Sequence, residues 1–361
     1  MHTIRRFNRR THAPIMLLVV VTLIAALWAA LGRIGWRLPP LPIPILGQHG
    51  ALMISGFLGT LVSLERSVAL GRRWTYAVPF LSALGSLALL IGLPFEIGRG
   101  LIALAALGLV IVFYHIYRLR STIDIGAMAL GAILWLIGNA LWWLGQPAYH
   151  AAPWWAGFLI LTIAGERLEL SRVLMLKTTS RNWFKAGLAA FSIGLLVSLV
   201  VFDVGLRLAG LGLVTLGAWL LRYDVARFTV RQAGLTRYIA ACLLPGYVWL
   251  IVGGLLWALV GASSTGGFLY DAMYHTLFLG FVFSMIFGHA PIILPAVLPI
   301  DVAYRPRFYI HLILLQGSLL VRVLADLMAN QPLRQWMGLI NVLTILFFLG
   351  NMALSVRRRP A

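Results

Sequence analysis

The stretch ILGQHGALMISGFLGTLVSLERSVALGRR at residues 45–73 decides the fold, because it is apolar over a length that can cross a lipid bilayer. A helix rises about 1.5 Å per residue and the hydrocarbon core is about 30 Å thick, so about 20 residues suffice. His49, Met53 and Gly56 fall on one face of such a helix at about 100° per residue. That face carries small and polar residues, which predicts contact with a neighbouring helix or a flat ligand rather than with lipid.

The same pattern recurs in two further apolar stretches, which predicts an internal repeat. Each copy has a histidine, a Gly-Phe pair five or seven residues later, and an ionisable residue nine residues after that glycine. The three copies start at His49, His150 and His275. Membrane proteins are often built from such repeats, with function at the interface between them.

Composition predicts a polytopic membrane protein of the all-α class. The chain has 361 residues, of which 61% are hydrophobic and 11% are charged, and a soluble protein of this length could not bury so much apolar surface. Its formal charge of +19 is spread over short loops between apolar runs, which indicates membrane topology and argues against a nucleic-acid partner. We expect one transmembrane domain over residues 1–361, in contact with the lipid bilayer.

Twelve apolar runs predict about twelve transmembrane helices. They lie at about residues 13–31, 46–70, 76–93, 99–117, 124–144, 152–174, 184–202, 206–221, 239–260, 270–298, 308–328 and 335–354. They form three groups of four, with approximate repeat units at 1–121, 122–236 and 237–361. Lys and Arg concentrate in alternate loops, which places both termini in the cytoplasm. The basic N-terminus leads into an uncleaved first span rather than a signal peptide.

The histidines predict a haem or metal site. Neutral imidazole is the usual axial ligand of haem b, so His49 and His275, on the second and tenth spans, are the candidate ligands. Arg322 on the next span could pair with haem propionates, because guanidinium binds carboxylates bidentately. Met53 is a further cofactor contact and His150 a candidate metal ligand, for copper in particular. The single cysteine, Cys242, excludes an internal disulfide and a C-x-x-C-H haem attachment.

A second layer of ionisable residues lies toward the other end of the spans. Ionisable groups at membrane depth are expensive and rarely face lipid, so they are functional candidates. Two readings stay open for this layer, structural ion pairs that lock helices together or members of a proton relay. The residues concerned are Glu65, Arg66, Glu166, Arg167, His289 and His311.

Three segments resemble the NnrS family of membrane proteins. They are His49-x₃-Met53-x₂-Gly56-Phe57, the stretch from His275 through Gly280 to Met285-Ile286-x-Gly288, and Leu319-Leu320-Val321-Arg322-Val323. Together they cover about a fifth of the chain. The twelve-span outline, with candidate ligands on the second, sixth and tenth spans, is also similar to haem–copper oxidase subunit I. The chain departs from both in the positions of further histidines, since Ala51 replaces the second early histidine of NnrS and the H-x-H of the oxidase is absent.

The NnrS resemblance implies a bacterial inner-membrane protein that binds haem, and copper as well. It also implies a link to nitric oxide response, detoxification or denitrification, with nitric oxide as a ligand and a respiratory or denitrification protein as redox partner. Two alternatives stay open, namely a secondary transporter without cofactor and a structural subunit of a membrane complex. Whether the chain turns over a substrate also stays open.

Overall fold

A computed structural model describes residues 12–39 and 45–358, and this part of the chain is almost entirely helical. A helix coincides with each of the twelve predicted runs. In chain order they are α1 Ala13–Arg33, α2 Ile45–Leu70, α3 Ala77–Leu90, α4 Phe95–Leu119, α5 Ile123–Trp143, α6 Ala148–Leu170, α7 Thr178–Val197, α8 Phe202–Tyr223, α9 Gly234–Val260, α10 Gly267–Val297, α11 Phe308–Leu327 and α12 Gln331–Ala353. Two three-residue strands, β1 Ile300–Val302 and β2 Val356–Arg358, pair antiparallel. The predicted all-α class is confirmed.

Nine helices of the described chain are long and apolar enough to span a membrane. The other three are α3, which has 14 residues, and α6 and α7, which carry polar or charged residues in their end turns. Large apolar side chains such as Leu17, Leu104 and Ile313 lie exposed on the helices, with exposed fractions of 64%, 54% and 67%. So much exposed apolar surface fits a lipid environment. The protein is therefore a helical membrane protein.

Local sequence explains where several helices begin and end. Pro14 lies in the first turn of α1, where a missing N–H costs nothing. Gly71 ends α2 with φ +67°, a left-handed conformation that glycine adopts without strain. The side chain of Asn330 accepts a hydrogen bond from the backbone N–H of Leu333 at 3.1 Å and so caps the start of α12.

The chain divides into two compact units. The first holds residues up to Phe158, together with Ile292–Val302 and the C-terminal residues from Val356. Its helices α3 and α4 approach closely at Gly85 and Gly98, where an added Cβ on Gly85 would lie 2.7 Å from the Gly98 oxygen. Such contacts between small residues are typical of helix packing in membranes.

The second unit holds Leu159–Pro291 and Ala303–Ser355. In this unit α8 contacts both α7 and α9 through small residues. A Cβ on Gly212 would lie 2.3 Å from the Phe191 nitrogen of α7, and one on Gly210 would lie 2.6 Å from the Gly254 oxygen of α9. Substitution at these glycines would push helices apart, so they fix the spacing of the unit.

Two helices contain a π-helical segment of eight residues, Leu52–Gly59 in α2 and Thr276–Phe283 in α10. The Gly-Phe pair of the sequence repeat occupies the fifth and sixth positions of both segments. The third copy of the pair, in α6, lies in a regular α-helix. Single wide turns of this kind are rare and often mark functional sites. The backbone thus singles out the two repeat copies whose histidines are the candidate haem ligands.

Candidate functional site

Hydroxyl groups from α2 and α3 support the π-helical segment of α2 in the first unit. The Ser82 hydroxyl donates to the backbone oxygen of Ser55 at 3.0 Å, and the Thr60 hydroxyl donates to Ser82 at 2.9 Å. The Ser55 hydroxyl accepts from the indole N–H of Trp135 at 3.0 Å and donates to Asn139 at 2.9 Å. A wide turn changes the backbone hydrogen-bond pattern, and the Ser82 hydroxyl gives the Ser55 carbonyl a donor there.

His49 lies one turn before this π-helical segment. Its Nδ1 is 2.9 Å from the backbone oxygen of Ala26 in α1. A carbonyl oxygen only accepts, so Nδ1 carries the proton and the neutral ring keeps its lone pair on Nε2. Metal-bound histidines are commonly oriented in this way. Met53 follows one turn later, partly buried within the π-helical segment.

His275 is the residue immediately before the π-helical segment of α10, in the second unit. Its Nδ1 is 2.9 Å from the backbone oxygen of Asp271, so it has the same anchored tautomer as His49. Its Nε2 lies 3.4 Å from Nη2 of Arg322, whose N–H groups are donors. Arg322, which the sequence analysis assigned to the haem propionates, thus lies beside His275 within the second unit, with the two side chains in direct contact.

Arg322 is the centre of a buried ionic cluster in the second unit. Its Nε donates to Asp271 Oδ2 at 2.9 Å and its Nη2 to Oδ1 at 3.1 Å, a bidentate pair between α11 and α10. Its Nη1 donates to the Asn341 side chain of α12 at 3.2 Å. Arg334, also on α12, reaches Asp271 Oδ1 at 3.1 Å and Asp326 Oδ1 at 3.2 Å. Asp271, Arg322 and Asp326 are all buried.

Sequence reasoning missed three members of this cluster, Asp271, Arg334 and Asn341. A signal was present for Asp271, which lies four residues before His275 at the start of an apolar span. An acidic residue in such a position is expensive unless it has a partner, so it is a functional candidate in its own right. Arg334 precedes the predicted run 335–354, whereas in the structure it lies in the first turn of α12.

The predicted Glu-Arg pairs have different surroundings in the structure. Arg66 contacts its neighbour Glu65 at 3.3 Å, at a partly buried position. Arg167 is buried, and its Nε and Nη2 each donate to Asp224 at 2.8 Å. This interaction joins Arg167 to a residue that the sequence analysis did not single out. Asp224 comes from the connection after α8, which the apolar pattern does not reveal.

The remaining histidines lie in separate environments. His150 is in the first turn of α6, with Nδ1 3.1 Å from Gln146 Oε1. His289 directs Nδ1 at the backbone oxygen of Met285 at 2.8 Å. His311 is fully buried, with Nε2 2.8 Å from the Tyr238 hydroxyl and Nδ1 3.1 Å from Asn351. Both ring nitrogens of His311 thus have partners within the protein, which favours a structural role.

These residues fit the expected cofactors unequally. His49 has the tautomer that an axial haem ligand needs. His275 has the same tautomer, but ligation there requires the Arg322 guanidinium to leave Nε2. Arg322 already holds a carboxylate, that of Asp271, in the geometry expected for a haem propionate. For copper, the described residues include no group of three or more His, Cys, Asp or Glu side chains that could hold a metal ion.

The fold and the buried polar groups define a helical membrane protein with ionisable side chains held inside its apolar helices. Comparison with protein families then places it more closely. The chain belongs to the family whose model is described as a domain of unknown function, DUF8744, and the match covers residues 12–357. No curated protein and no solved structure matches the chain.

Proposed function

We propose that this protein binds haem b in the membrane and that the imidazoles of His49 and His275 would hold it. One observation carries the proposal. In each unit, a histidine comes just before a π-helical segment with Gly-Phe at its fifth and sixth positions, and its Nδ1 is anchored on a backbone carbonyl. Two independent occurrences of this arrangement favour a shared role for the two histidines over chance burial.

Within this proposal the chain's own residues have defined tasks. The Ala26 and Asp271 carbonyls hold the two rings in the tautomer with a basic Nε2. Arg322 would supply positive charge for a propionate, and its two parallel N–H groups would have to exchange the Asp271 carboxylate for it. Bound haem would supply one-electron chemistry, and nitric oxide would bind it in exchange for one of the two imidazoles. With the NnrS resemblance, this supports a role in nitric oxide response, with a denitrification or respiratory protein as redox partner.

The test is a pyridine haemochrome assay on the full chain purified in detergent. We expect haem in the wild type, a Soret band that shifts on reduction and with nitric oxide, and loss of haem in His49→Ala and His275→Ala. His115→Ala is the matched control, because His115 Nδ1 is also anchored on a backbone oxygen, that of Ile111, without a following π-helical segment. Haem-free protein, or unchanged haem in both test variants, would contradict the proposal. Metal analysis of the same sample tests for copper.

The finer membrane arrangement is part of the same proposal. Twelve spans in three groups of four, with both termini in the cytoplasm of a bacterial cell, follow from the apolar runs and the basic loops.

Two observations within the units support a repeat. The π-helical segment contacts the preceding helix at its glycine in both cases, at Thr22 of α1 for Gly56 and at Trp249 of α9 for Gly280. Four residues after each glycine, Thr60 and Ser284 bond to side chains of the following helix.

A transporter without cofactor is the second candidate function, and the buried ionic cluster around Arg322 favours it. Paired charges inside apolar helices commonly mark ion or proton pathways. This candidate predicts a colourless purified protein and proton-coupled uptake in proteoliposomes. Glu65→Gln or Glu166→Gln would abolish that uptake if these carboxylates belong to the pathway. Stoichiometric haem in the purified protein would count against it.

A further inference from the structure

Basic side chains cover the end of the second unit at which α7 begins, α8 ends and α9 begins. The indole N–H of Trp219 in α8 donates to the backbone oxygen of Ser180 in α7 at 2.8 Å, so these two helix ends lie side by side. A short helical turn, Ala226–Thr229, lies in the connection from α8 to α9. Seven exposed Lys and Arg side chains of these segments define the basic surface, namely Lys177, Arg181, Lys185, Arg222, Arg227, Arg231 and Arg237.

The seven cations of the basic surface have no ion-pair partner among the carboxylates that the structure describes. The carboxylate in the connection from α8 to α9 is Asp224, which is buried and already neutralised by Arg167. Glu166 and Glu169 lie half-buried in the last turns of α6 and offset at most two of the seven charges. At least five positive charges therefore stay in excess at this end of the unit.

The opposite end of α7 and α8 has a different charge arrangement. The connection at residues 198–201 contains no basic residue, and Arg207, the first cation of α8, is ion-paired to Asp203 at 2.7 Å. The Arg207 guanidinium also donates to the carbonyl oxygens of Ala258 and Leu259 at the end of α9. The excess positive charge of these helices is thus confined to one end.

Half-exposed aromatic rings accompany the cations of the basic surface. Trp183, which is 51% exposed, contacts the ring of Tyr223 edge-on with 6.3 Å between ring centroids. The Arg222 guanidinium lies 5.6 Å from the same Tyr223 ring, and that of Arg227 lies 5.0 Å from the ring of Phe228. Aromatic rings and long cationic side chains combine in this way at the headgroup level of a bilayer, because each has an apolar part and a polar end.

We propose that the basic surface binds the headgroups of anionic phospholipids in the surrounding bilayer. The phosphodiester complements the excess charge, and guanidinium groups bind phosphate oxygens in pairs. Apolar side chains of the same end identify the source of the phosphate. Val173 and Met175, in the connection from α6 to α7, are 75% and 88% exposed. Acyl chains of a lipid cover such side chains, whereas a soluble anion does not.

Native mass spectrometry of the full detergent-purified chain tests the proposal, with phosphatidylglycerol as the anionic lipid and phosphatidylcholine as the neutral one. We expect the wild type to retain phosphatidylglycerol in preference to phosphatidylcholine with the same acyl chains. Each basic residue near an anionic surface strengthens the attraction about fivefold, so three substitutions together, Arg222→Gln, Arg227→Gln and Arg231→Gln, should weaken phosphatidylglycerol binding about a hundredfold. Equal retention of the two lipids by the wild type would overturn the proposal.

The matched control removes three exposed arginines from the first unit, by Arg72→Gln, Arg73→Gln and Arg118→Gln together. The control loses the same charge, and its phosphatidylglycerol binding should stay close to that of the wild type. Equal losses in the two triple variants would show that total charge attracts the lipid, and would refute a binding surface on the second unit.

The melting temperature of the wild type gives a second readout, which stands even if the glutamine variants do not fold. Phosphatidylglycerol added to the micelles should raise it, because a ligand of the folded state stabilises that state. The rise should vanish in 1 M sodium chloride, where charges are screened beyond about 3 Å. A rise that persists in 1 M salt contradicts the proposal. An equal rise with inorganic phosphate, compared with chloride at matched ionic strength, would assign the surface to a soluble anion and refute lipid binding.

Discussion

Asp224 is a buried carboxylate of the second unit that accepts several hydrogen bonds. It accepts two hydrogen bonds from Arg167 at 2.8 Å, one from the backbone N–H of Ala226 at 2.7 Å and one from Ser171 at 3.4 Å. Both side chains of the ion pair are buried. Removing one partner of such a pair leaves the other charge buried without compensation, which is much more costly than losing an exposed pair.

We therefore expect Asp224→Asn to destabilise the folded protein by about 3–5 kcal/mol. The measurement is the denaturant midpoint of the full chain in detergent micelles. Asp203→Asn is the control, because it breaks an ion pair whose two side chains are 45% and 42% exposed, and its midpoint should stay close to the wild type. Equal effects of the two substitutions would show that burial does not set the strength of the Arg167 interaction.

Arg167 also shows what sequence reasoning can reach at this scale. An arginine inside an apolar run must have a buried partner, and that much was predicted. The structure supplies Asp224 as that partner, with two hydrogen bonds from the guanidinium. Asp224 lies 57 residues along the chain, in a connection whose position depends on the packing of α8. Only the tertiary structure supplies that contact.

At the scale of elements, the two π-helical segments distinguish α2 and α10 from the other helices. The repeated histidine and Gly-Phe spacing was visible in the sequence, and both copies lie on helices as predicted. The wide π-helical turn was not visible in the sequence, because it depends on contacts from other helices, such as the hydrogen bond from the Ser82 hydroxyl to the Ser55 carbonyl. Periodicity alone predicts a uniform α-helix, and it did so for all three copies of the repeat.

Gly280 is the residue at which the α10 segment meets α9. A Cβ at this position would lie 2.5 Å from both Cβ and Cγ of Trp249, so alanine cannot be accommodated without moving one of the helices. We expect Gly280→Ala to cost about 1–3 kcal/mol, as other overpacked substitutions do. The loss should appear as a lower melting temperature in detergent.

Gly317→Ala in α11 is the control for this prediction. Nothing lies within 4 Å of a Cβ added there, and alanine has a helix propensity higher than glycine by up to about 1 kcal/mol. Its melting temperature should equal or exceed that of the wild type. A Gly280→Ala protein as stable as Gly317→Ala would mean that the close contact with Trp249 is not retained in solution.

At the scale of the whole molecule, composition and apolar periodicity predicted the helical membrane class and the positions of the twelve long helices α1 to α12. The number of membrane spans does not follow from the positions of the helices alone. Nine helices meet the length and hydropathy expected of a span, while α3, α6 and α7 fall short because of their length or their polar end turns. The sites depend on polar contacts between distant segments, and no periodic pattern encodes these.

Labelling of introduced cysteines with a membrane-impermeant maleimide separates a twelve-span from a nine-span arrangement. The native chain has one cysteine, Cys242, which is buried in α9, so no background substitution is needed. If α3 spans the membrane, Arg72→Cys and Ser121→Cys are on the same side, because α3 and α4 lie between them. If α3 does not span, only α4 crosses and the two positions are on opposite sides.

The same logic applies to α6 and α7. Gln146 lies before α6, Lys177 between the two helices and Leu199 after α7, all in connections. Twelve spans place a cysteine at 177 on the side opposite to those at 146 and 199, whereas nine spans place all three on one side. We expect the twelve-span pattern, with positions 72, 121 and 177 protected in intact cells and labelled after permeabilisation, because the basic loops that contain or adjoin them favour the cytoplasm. The same outcome for positions 146, 177 and 199 in intact cells, all labelled or all protected, would refute both the span count and the three groups of four helices.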